Sequence, residues 1–182
     1  MEVLEAIRTR RSIRKYKSKP VEAKTLATVL EAARQAPSWA NTQCWRFVVV
    51  RDGAIKSKLS NTLNETNPTR DAVCNAPLVI VACAEMGKSG HKDGEAVTDK
   101  GDWFMFDVAL AMQNLVLAAH SLGLGTVYVG RFNAGEVGRI LSLPQGYCAV
   151  AMTPLGYPDE TKEPRPRKEL DEIVHYDKWN DK

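Results

Sequence analysis

The sequence predicts one domain that mixes helices and strands around a single buried helix. Its 182 residues are the usual size of a domain, and the 44% hydrophobic content is enough for a sizeable core. The longest apolar segment, residues 103–122, contains one formal charge, Asp107. Shorter apolar and β-branched runs on either side of it are typical of buried strands. We therefore expect residues 1–182 to form a single domain, with residues 103–122 at its centre or at a subunit interface.

The central segment predicts a helix because Ala and Leu dominate it and it contains neither Gly nor Pro. Asp102, just before it, is a good N-cap. An ionisable Asp107 and the scattered polar groups argue against a membrane span. A helix that is apolar nearly all round must be buried on nearly all sides. Gly123 and Gly125 are expected to end it, and residues 126–129 then predict a buried strand.

The remaining elements follow from hydrophobic periodicity. Apolar residues predict helices at residues 2–9, 22–35, 52–63 and 134–141, and strands at residues 45–50, 78–84 and 147–153. Residues 64–76 are polar and are expected to be irregular. Residues 86–101 are rich in Gly and Lys without an apolar period, which is typical of a mobile surface loop or lid. A proline-rich tail is expected from Pro154 onward.

Neither a metal site nor a secretory signal is expected. The chain begins with an acidic, amphipathic stretch rather than a basic one followed by a long apolar run. The four cysteines are far apart, form no CxxC pair and have no histidine at zinc-ligand spacing. Buried free thiols in a cytoplasmic protein are the simplest interpretation of these cysteines.

The net charge of +3 hides a cluster of positive charge near the N-terminus. Residues 8–19 contain seven basic residues and no acid, which leaves 18 basic against 22 acidic residues elsewhere. Such a cluster indicates a site for an anion rather than a nucleic-acid-binding surface. Arginines flank Ser12 on both sides just past a predicted helix end, which suits a phosphate monoester. A distant pair, Arg165 and Arg167, could close on the same dianion. A solvated run of charges is the alternative, and spacing alone leaves both open.

Four motifs follow one another along most of the chain. They are Arg10-Arg11-Ser12-Ile13-Arg14, Pro37-Ser38-x-x-Asn41-x-Gln43-x-Trp45, Asn114-Leu115 followed by Gly123-Leu124-Gly125-Thr126, and Arg165-x-Arg167. Together they resemble the nitroreductase family of flavoproteins. The resemblance implies an α+β fold with a mainly antiparallel central sheet flanked by helices. It also implies an intertwined homodimer about the long central helix, with one FMN at each end of the interface.

The resemblance also implies which residues bind FMN. The phosphate would be held by Arg10, Ser12 and Arg14, joined by Arg165 or Arg167, with Arg11 contributing mainly through its backbone. Asn41 and Gln43 would hydrogen-bond the ribityl chain or the edge of the flavin ring. Pro37 and Ser38 would reach the flavin of the partner chain. The backbone of Val129 and Gly130 would lie against the ring near N5, where small residues allow close approach. Cys44 departs from the proline that commonly follows the glutamine in the family.

The function that the resemblance implies is a cytoplasmic NAD(P)H-dependent FMN oxidoreductase. NADH or NADPH would give hydride to flavin N5, and an acceptor such as a nitroaromatic or a quinone would then be reduced. A cation near N1, Arg14 or Lys15, would stabilise the reduced flavin. No side chain is expected to act as a catalytic acid or base. The alternatives are other flavin chemistry in the same fold (dehalogenation, ring dehydrogenation or flavin cleavage) and a non-catalytic FMN-binding protein. The acceptor, the preferred nicotinamide and the pathway stay open.

Overall fold

A four-stranded antiparallel sheet lies at the centre of the fold, with helices on both of its faces. The computed structural model describes residues 1–179. The helices are α1 (Val3–Thr9), α2 (Ala23–Arg34), α3 (Gly53–Asn61), α4 (Arg70–Asn75), α5 (Phe104–Ser121), α6 (Ala134–Ile140) and α7 (Leu170–Ile173). The strands are β1 (Trp45–Val50), β2 (Leu78–Glu85), β3 (His91–Lys92), β4 (Glu95–Ala96), β5 (Gly125–Thr126) and β6 (Tyr147–Gly156).

The sheet has the strand order β1-β2-β6-β5, and every neighbouring pair is antiparallel. In β2, all residues except Glu85 are buried, because helices cover both faces of this inner strand. On one face Ile80 and Ala82 pack with α2 and α5. On the other face Val79 and Val81 pack with α3, α4 and α6. The expected α+β architecture with a mainly antiparallel sheet is therefore confirmed.

The central helix α5 is confirmed, but its burial differs from the prediction. Val108, Ala111 and Leu115 are buried against α2 and the sheet, whereas Met105 and Phe106 are 58% and 55% exposed. Within residues 1–179 no element covers the second face, so the chain by itself does not provide the expected burial on nearly all sides. The helix is long and apolar enough to cross a membrane by composition alone, a test that core helices of soluble proteins also pass.

The start of α5 also differs from the prediction. Trp103, not Asp102, is the N-cap residue, although the Asp102 carboxylate does accept a hydrogen bond from the backbone N–H of Phe104 at 3.1 Å. At the other end, strand β5 is shorter than the expected strand at residues 126–129. Only Gly125 and Thr126 pair with β6, and Val129 returns to β6 as an isolated bridge with Met152.

Three segments expected to lack regular structure contain short elements. Residues 64–76 include α4, which the polar composition hid and which buries Ala72 and Val73. Residues 86–101 carry the two-residue strands β3 and β4. The tail begins later than expected, because β6 continues to Gly156, and it contains the single turn α7. The other predicted helices and strands are found within a few residues of their expected ends.

Candidate functional site

The basic segment after α1 lies along strand β5. The backbone N–H of Ile13 donates to the carbonyl of Thr126 at 2.9 Å, and the Ile13 side chain is buried. Successive side chains of an extended segment point to opposite sides, so the burial of Ile13 turns Ser12 and Arg14 outward. These outward side chains line a cavity of about 550 Å³, the arginine cavity.

The tail forms the opposite wall of the arginine cavity. The residues that line the cavity are Arg10, Arg11, Ser12, Arg14, Lys162, Glu163, Pro164, Arg165, Pro166 and Arg167. The Glu160 carboxylate joins the two walls, because it accepts from the backbone N–H of Arg14 at 2.6 Å and pairs with Lys162 at 2.8 Å. The structure thus brings together the two arginine clusters that the sequence singled out.

The donors of the arginine cavity suit a phosphate group. The Nε atoms of Arg11 and Arg14 are buried and have no hydrogen-bond partner. Buried donors of this kind are costly unless a ligand satisfies them. The Arg11 guanidinium donates to the carbonyls of Arg8 and Arg10, which holds it at the end of α1. Six cationic side chains around one cavity, with the hydroxyl of Ser12, match the charge and acceptor atoms of a phosphate monoester.

His120 of α5 contacts the end of α1. Its Nε2 lies 2.8 Å from the hydroxyl of Thr9, which itself donates to the carbonyl of Glu5. A hydroxyl has one hydrogen, so His120 Nε2 carries the proton and donates to Thr9. Burial lowers the pKa of His120, and the charges of Arg10 and Arg11 lower it further. The imidazole is therefore neutral at pH 7.

A second, largely apolar cavity of about 410 Å³ adjoins Gly130. It lies between the exposed face of α5 and the chain after β5, and Met105, Ala109 and Gln113 of α5 line it. Gly130 has open space where a Cβ would lie. The backbone N–H and C=O of Val129 are both bonded to Met152, so the accessible main chain at this position is that of Gly130. We call this the Gly130 cavity.

Tyr128 lines the Gly130 cavity. Its hydroxyl donates to Gln113 Oε1 at 2.9 Å. Burial raises the pKa of Tyr128 to about 12, although the charge of Arg10 lowers this pKa. A phenol in this state is protonated at neutral pH and can only donate or accept hydrogen bonds. The Gly130 cavity offers apolar surface, and the arginine cavity offers cations.

Residues 37–44 form a tight loop, the 37–44 loop, that holds the other predicted site residues. Pro37, Asn41 and Gln43 are exposed, and the Ser38 hydroxyl accepts from the backbone N–H of Gln43 at 2.9 Å. Ala40, Asn41 and Gln43 have positive φ angles of 44°, 55° and 48°. Each such non-glycine residue costs about 1–3 kcal/mol and persists only where its surroundings enforce it, which is typical of ligand-binding loops.

Asp107 of α5 anchors this loop. The carboxylate is fully buried and accepts from the backbone N–H of Trp39 at 3.0 Å and from the Ser89 hydroxyl at 2.7 Å. Thr42 and Cys44 contact its second oxygen at 3.4 and 3.7 Å. Burial, the charge of Asp107 and the hydrogen bond to it raise the pKa of the Cys44 thiol to about 12. The one formal charge of residues 103–122 is therefore satisfied by hydrogen bonds.

The predicted site residues fall into two groups on opposite sides of α5. The 37–44 loop is attached at Asp107, whereas the Gly130 cavity is lined by Ala109. Two residues along an α-helix correspond to a rotation of about 200°. The 37–44 loop and the Gly130 cavity therefore lie on different sides of α5 within a single chain.

Four further residues at the two cavities were not predicted from the sequence: Gln113, Tyr128, Glu160 and Lys162. Gln113 bonds to Tyr128, Lys162 pairs with Glu160, and Glu160 accepts from Arg14, 146 residues before it. None has a local pattern that marks it. Among residues 1–179 no group of three or more His, Cys, Asp or Glu side chains could hold a metal ion.

Comparisons with known proteins agree with this geometry. A model of the Nitroreductase family matches residues 7–73 and 58–157. An NADH dehydrogenase of Thermus thermophilus is 34% identical, covering 91% of each chain. An FMN reductase [NAD(P)H] of Bacillus subtilis is 29% identical over 98% of this chain and 74% of its own. The solved structure of an FMN-dependent nitroreductase from Clostridium difficile superposes with a TM-score of 0.80 at 29% identity, covering 97% of this chain and 99% of the other.

Proposed function

The chain belongs to the nitroreductase family, and from this premise we propose that it is an FMN-dependent oxidoreductase. It would pass hydride from NADH or NADPH to an oxidised acceptor such as a nitroaromatic or a quinone. The observation that carries the proposal is the arginine cavity, where two clusters about 150 residues apart in sequence converge with unpartnered buried donors. Relatives named as an FMN reductase and an FMN-dependent nitroreductase support the choice of FMN.

In this proposal the arginine cavity binds the FMN phosphate. Arg10 and Arg14 contribute charge from one wall, and Arg165 and Arg167 contribute charge from the other. The Ser12 hydroxyl adds a neutral donor. The Arg167 guanidinium donates to the carbonyls of Arg165 and Pro166, each at 3.2 Å. Because these groups are exposed, a phosphate would readily replace these hydrogen bonds. Neutral His120 adds no charge to the site at pH 7.

The Gly130 cavity would receive the flavin ring. When bound, FMN supplies the reversible transfer of hydride at N5. The side chains of Met105, Ala109 and Met112 offer apolar surface, and the main chain of Gly130 can approach closely because it has no Cβ. Tyr128 and Gln113 form a bonded pair at the cavity wall, which presents polar atoms next to that surface. These residues orient a ring and exclude water from it, and none is required to move a proton.

We also propose that the functional unit is a homodimer. A two-fold axis would place the 37–44 loop of one chain over the Gly130 cavity of its partner, which resolves the separation of the two groups across α5. Exposed apolar residues support a large interface: Val3, Leu4 and Ile7 of α1, Met105 and Phe106 of α5, and Leu170, Ile173, Tyr176 and Trp179 of the tail. Monomers rarely expose so much apolar surface.

Two further properties belong to this proposal. We place residues 1–182 in one FMN-binding domain, a placement supported by two overlapping family matches, to residues 7–73 and 58–157. We place the protein in the cytoplasm, where thiols are kept reduced, because its four cysteines are all free.

The test is a fluorescence titration with FMN and with riboflavin, which lacks the phosphate. We expect the protein to bind FMN at least about tenfold more tightly, because each charge-assisted hydrogen bond contributes roughly 1.5–3 kcal/mol. Arg10→Ala and Arg167→Ala should lose most of this preference, and saturating FMN should restore their turnover. The control is Arg34→Ala, which removes an exposed arginine of α2 that pairs with Glu31. Equal affinity for the two flavins, or no bleaching of bound FMN by anaerobic NADH and NADPH, would contradict the proposal.

A further inference from the structure

Asp107 is a fully buried carboxylate in a helix that is otherwise apolar on that face. A buried charge is expensive unless several donors satisfy it, and four donors from two other segments converge on this one. Trp39, Thr42 and Cys44 belong to the 37–44 loop. Ser89 belongs to residues 86–103, which we call the 86–103 segment. An apolar side chain would be enough to fill the core at this position. We therefore infer that the role of the carboxylate is to accept these hydrogen bonds.

On the side of the 37–44 loop, Asp107 holds both ends of the strained turn. Oδ1 accepts from Trp39, which precedes the residues with positive φ, and Oδ2 lies near Thr42, between Asn41 and Gln43. The backbone N–H of Thr42 donates in turn to the carbonyl of Trp39 at 2.9 Å. Because these contacts enclose the turn, its unusual conformation depends on the position of the carboxylate.

On the other side, Ser89 is a fixed point of the 86–103 segment. Its side chain is fully buried, and its carbonyl accepts from the backbone N–H of Trp103 at 3.0 Å. The next residue, Gly90, has a φ of 77°, and a Cβ there would lie 2.5 Å from the Trp103 ring. The base of the segment is therefore packed tightly against the start of α5, while residues 92–97 at its tip are exposed. The segment that the sequence presented as a mobile lid has a rigid base.

We propose that Asp107 is a positioning residue that couples the 37–44 loop to the 86–103 segment. One carboxylate oxygen, Oδ2, is shared between Ser89 and Thr42, so a displacement of either segment alters the contacts of the other. The inference rests on the proposed function for its consequence. In the proposed dimer, the 37–44 loop lies over the Gly130 cavity of the partner, so a ligand that moves the 86–103 segment changes how tightly the partner's flavin is held.

The experiment compares Asp107→Asn and Ser89→Ala with the control Asp102→Asn. Asp102 accepts from the backbone N–H of Gly87 at 2.6 Å, a hydrogen bond that the amide oxygen of Asn can keep, and it makes no hydrogen bond with the 37–44 loop. The control therefore removes a neighbouring carboxylate charge without displacing the 86–103 segment. Hydrogen exchange of the flavin-free protein is measured at residues 39–43. We expect exchange there to be about tenfold faster or more in Asp107→Asn, faster in Ser89→Ala, and unchanged in Asp102→Asn.

The second measurement is the affinity for FMN, read from quenching of flavin fluorescence. Asp107→Asn and Ser89→Ala should both weaken binding, with Asp102→Asn within about twofold of the unmodified protein. If Asp107→Asn does not fold, Ser89→Ala decides, because it removes one oxygen atom and little volume.

The outcomes separate this inference from the proposed function. Exchange changes in Ser89→Ala that stay within residues 86–103 would overturn the coupling, as would unchanged FMN affinity in both variants of a protein that binds FMN. If the unmodified protein bound no FMN but exchange at residues 39–43 responded to both variants, the proposed function would fail and the positioning role would stand.

Discussion

Glu160 shows how a single side chain can complete a site without contacting its ligand. The carboxylate is 11% exposed, accepts from the Arg14 backbone and pairs with Lys162, so it ties the tail to the basic segment. Burial raises the pKa of Glu160, but the hydrogen bonds from Lys162 and from the backbone N–H of Arg14 outweigh this, and the pKa lies below its usual value. The stabilisation it provides is therefore present above pH 4.5 and is lost as the pH falls through the folded-state pKa.

We expect Glu160→Gln to reduce the free energy of unfolding at pH 7 by about 1–3 kcal/mol and to weaken FMN binding. We also expect the variant to lose less stability than the unmodified protein between pH 6 and 3, because the titrating group is gone. Urea denaturation at several pH values measures both effects. Glu31→Gln is the control. Hydrogen bonds from Arg34 and Gln35 lower the pKa of Glu31 to about 2. The Glu31–Arg34 pair is solvent-exposed on α2, and neither residue lines the arginine cavity. Identical pH profiles for Glu160→Gln and the unmodified protein would contradict this role.

At the residue scale, the sequence predicted the arginines of the cavity but not their supports. Arginines flanking Ser12 form a dense local pattern that is visible in the sequence. Glu160 and Lys162 lie among several charged residues of a polar tail, and nothing local separates them from the rest. Their role depends on the chain just after β6, residues 157–159, running back beside the basic segment, a tertiary contact that no short-range pattern contains.

At the scale of elements, the close approach of β5 to the basic segment positions Ser12 and Arg14. A Cβ on Gly125 would lie 2.8 Å from the Cβ of Ile13, a distance that real Cβ atoms essentially never show. Ile13 is buried and is bonded to Thr126, so it has little room to retreat. The glycine is needed here for space rather than for an unusual φ.

We expect Gly125→Ala to push the basic segment outward, to destabilise the protein by about 1–3 kcal/mol and to weaken FMN binding at the same time. Gly138→Ala is the matched control in α6, where the nearest atom to the new Cβ is Leu143 Cδ1 at 3.9 Å. That change should stabilise the protein by about 0.5–1 kcal/mol and leave FMN affinity unchanged. Thermal unfolding and flavin titration on the same samples give both quantities, and equal behaviour of the two variants would rule out the packing argument.

Elements with a clear apolar period were predicted to within a few residues of their observed ends. Elements without such a period, α4 and β5, were missed or given the wrong ends. Helix α4 has six residues, of which Ala72 and Val73 are buried, too few to produce a helical period among the polar residues around them. Strand β5 stops after Thr126 because the chain leaves the ladder before it returns to β6 at Val129. Such endings are decided by packing between elements rather than by local preference.

At the scale of the whole molecule, three exposed apolar surfaces lie on α1, α5 and the tail. We expect Ala109→Glu, which places a charge on the exposed face of α5, to abolish dimerisation and FMN binding together. Ala27→Glu is the matched control, because Ala27 is also an exposed helical alanine, on α2, and lines neither cavity. Sedimentation at micromolar concentration with absorbance at the flavin wavelength measures both. A dimeric Ala109→Glu, or a monomeric unmodified protein that binds FMN, would contradict the prediction.

The sequence predicted that α5 is buried on nearly all sides, but it did not indicate which side packs against the rest of the same chain. Asp107 was visible as a lone charge in an apolar run, but the side of the helix that it marks depends on where α2, the 37–44 loop and the sheet pack. The structure assigns Asp107 to the covered side and Ala109 to the uncovered side. This division could be found only from the packed chain.

The two-sided character of α5 has a consequence for inheritance. If the arginine cavity of one chain and the 37–44 loop of its partner build each site, damage to the two parts is complementary. A mixed dimer of one subunit lacking Arg10 and another lacking the loop anchor Asp107 would contain one site with both defects and one with neither. Two alleles, each inactive alone, would then support partial activity in the same cell, whereas two alleles damaged in the same part would not.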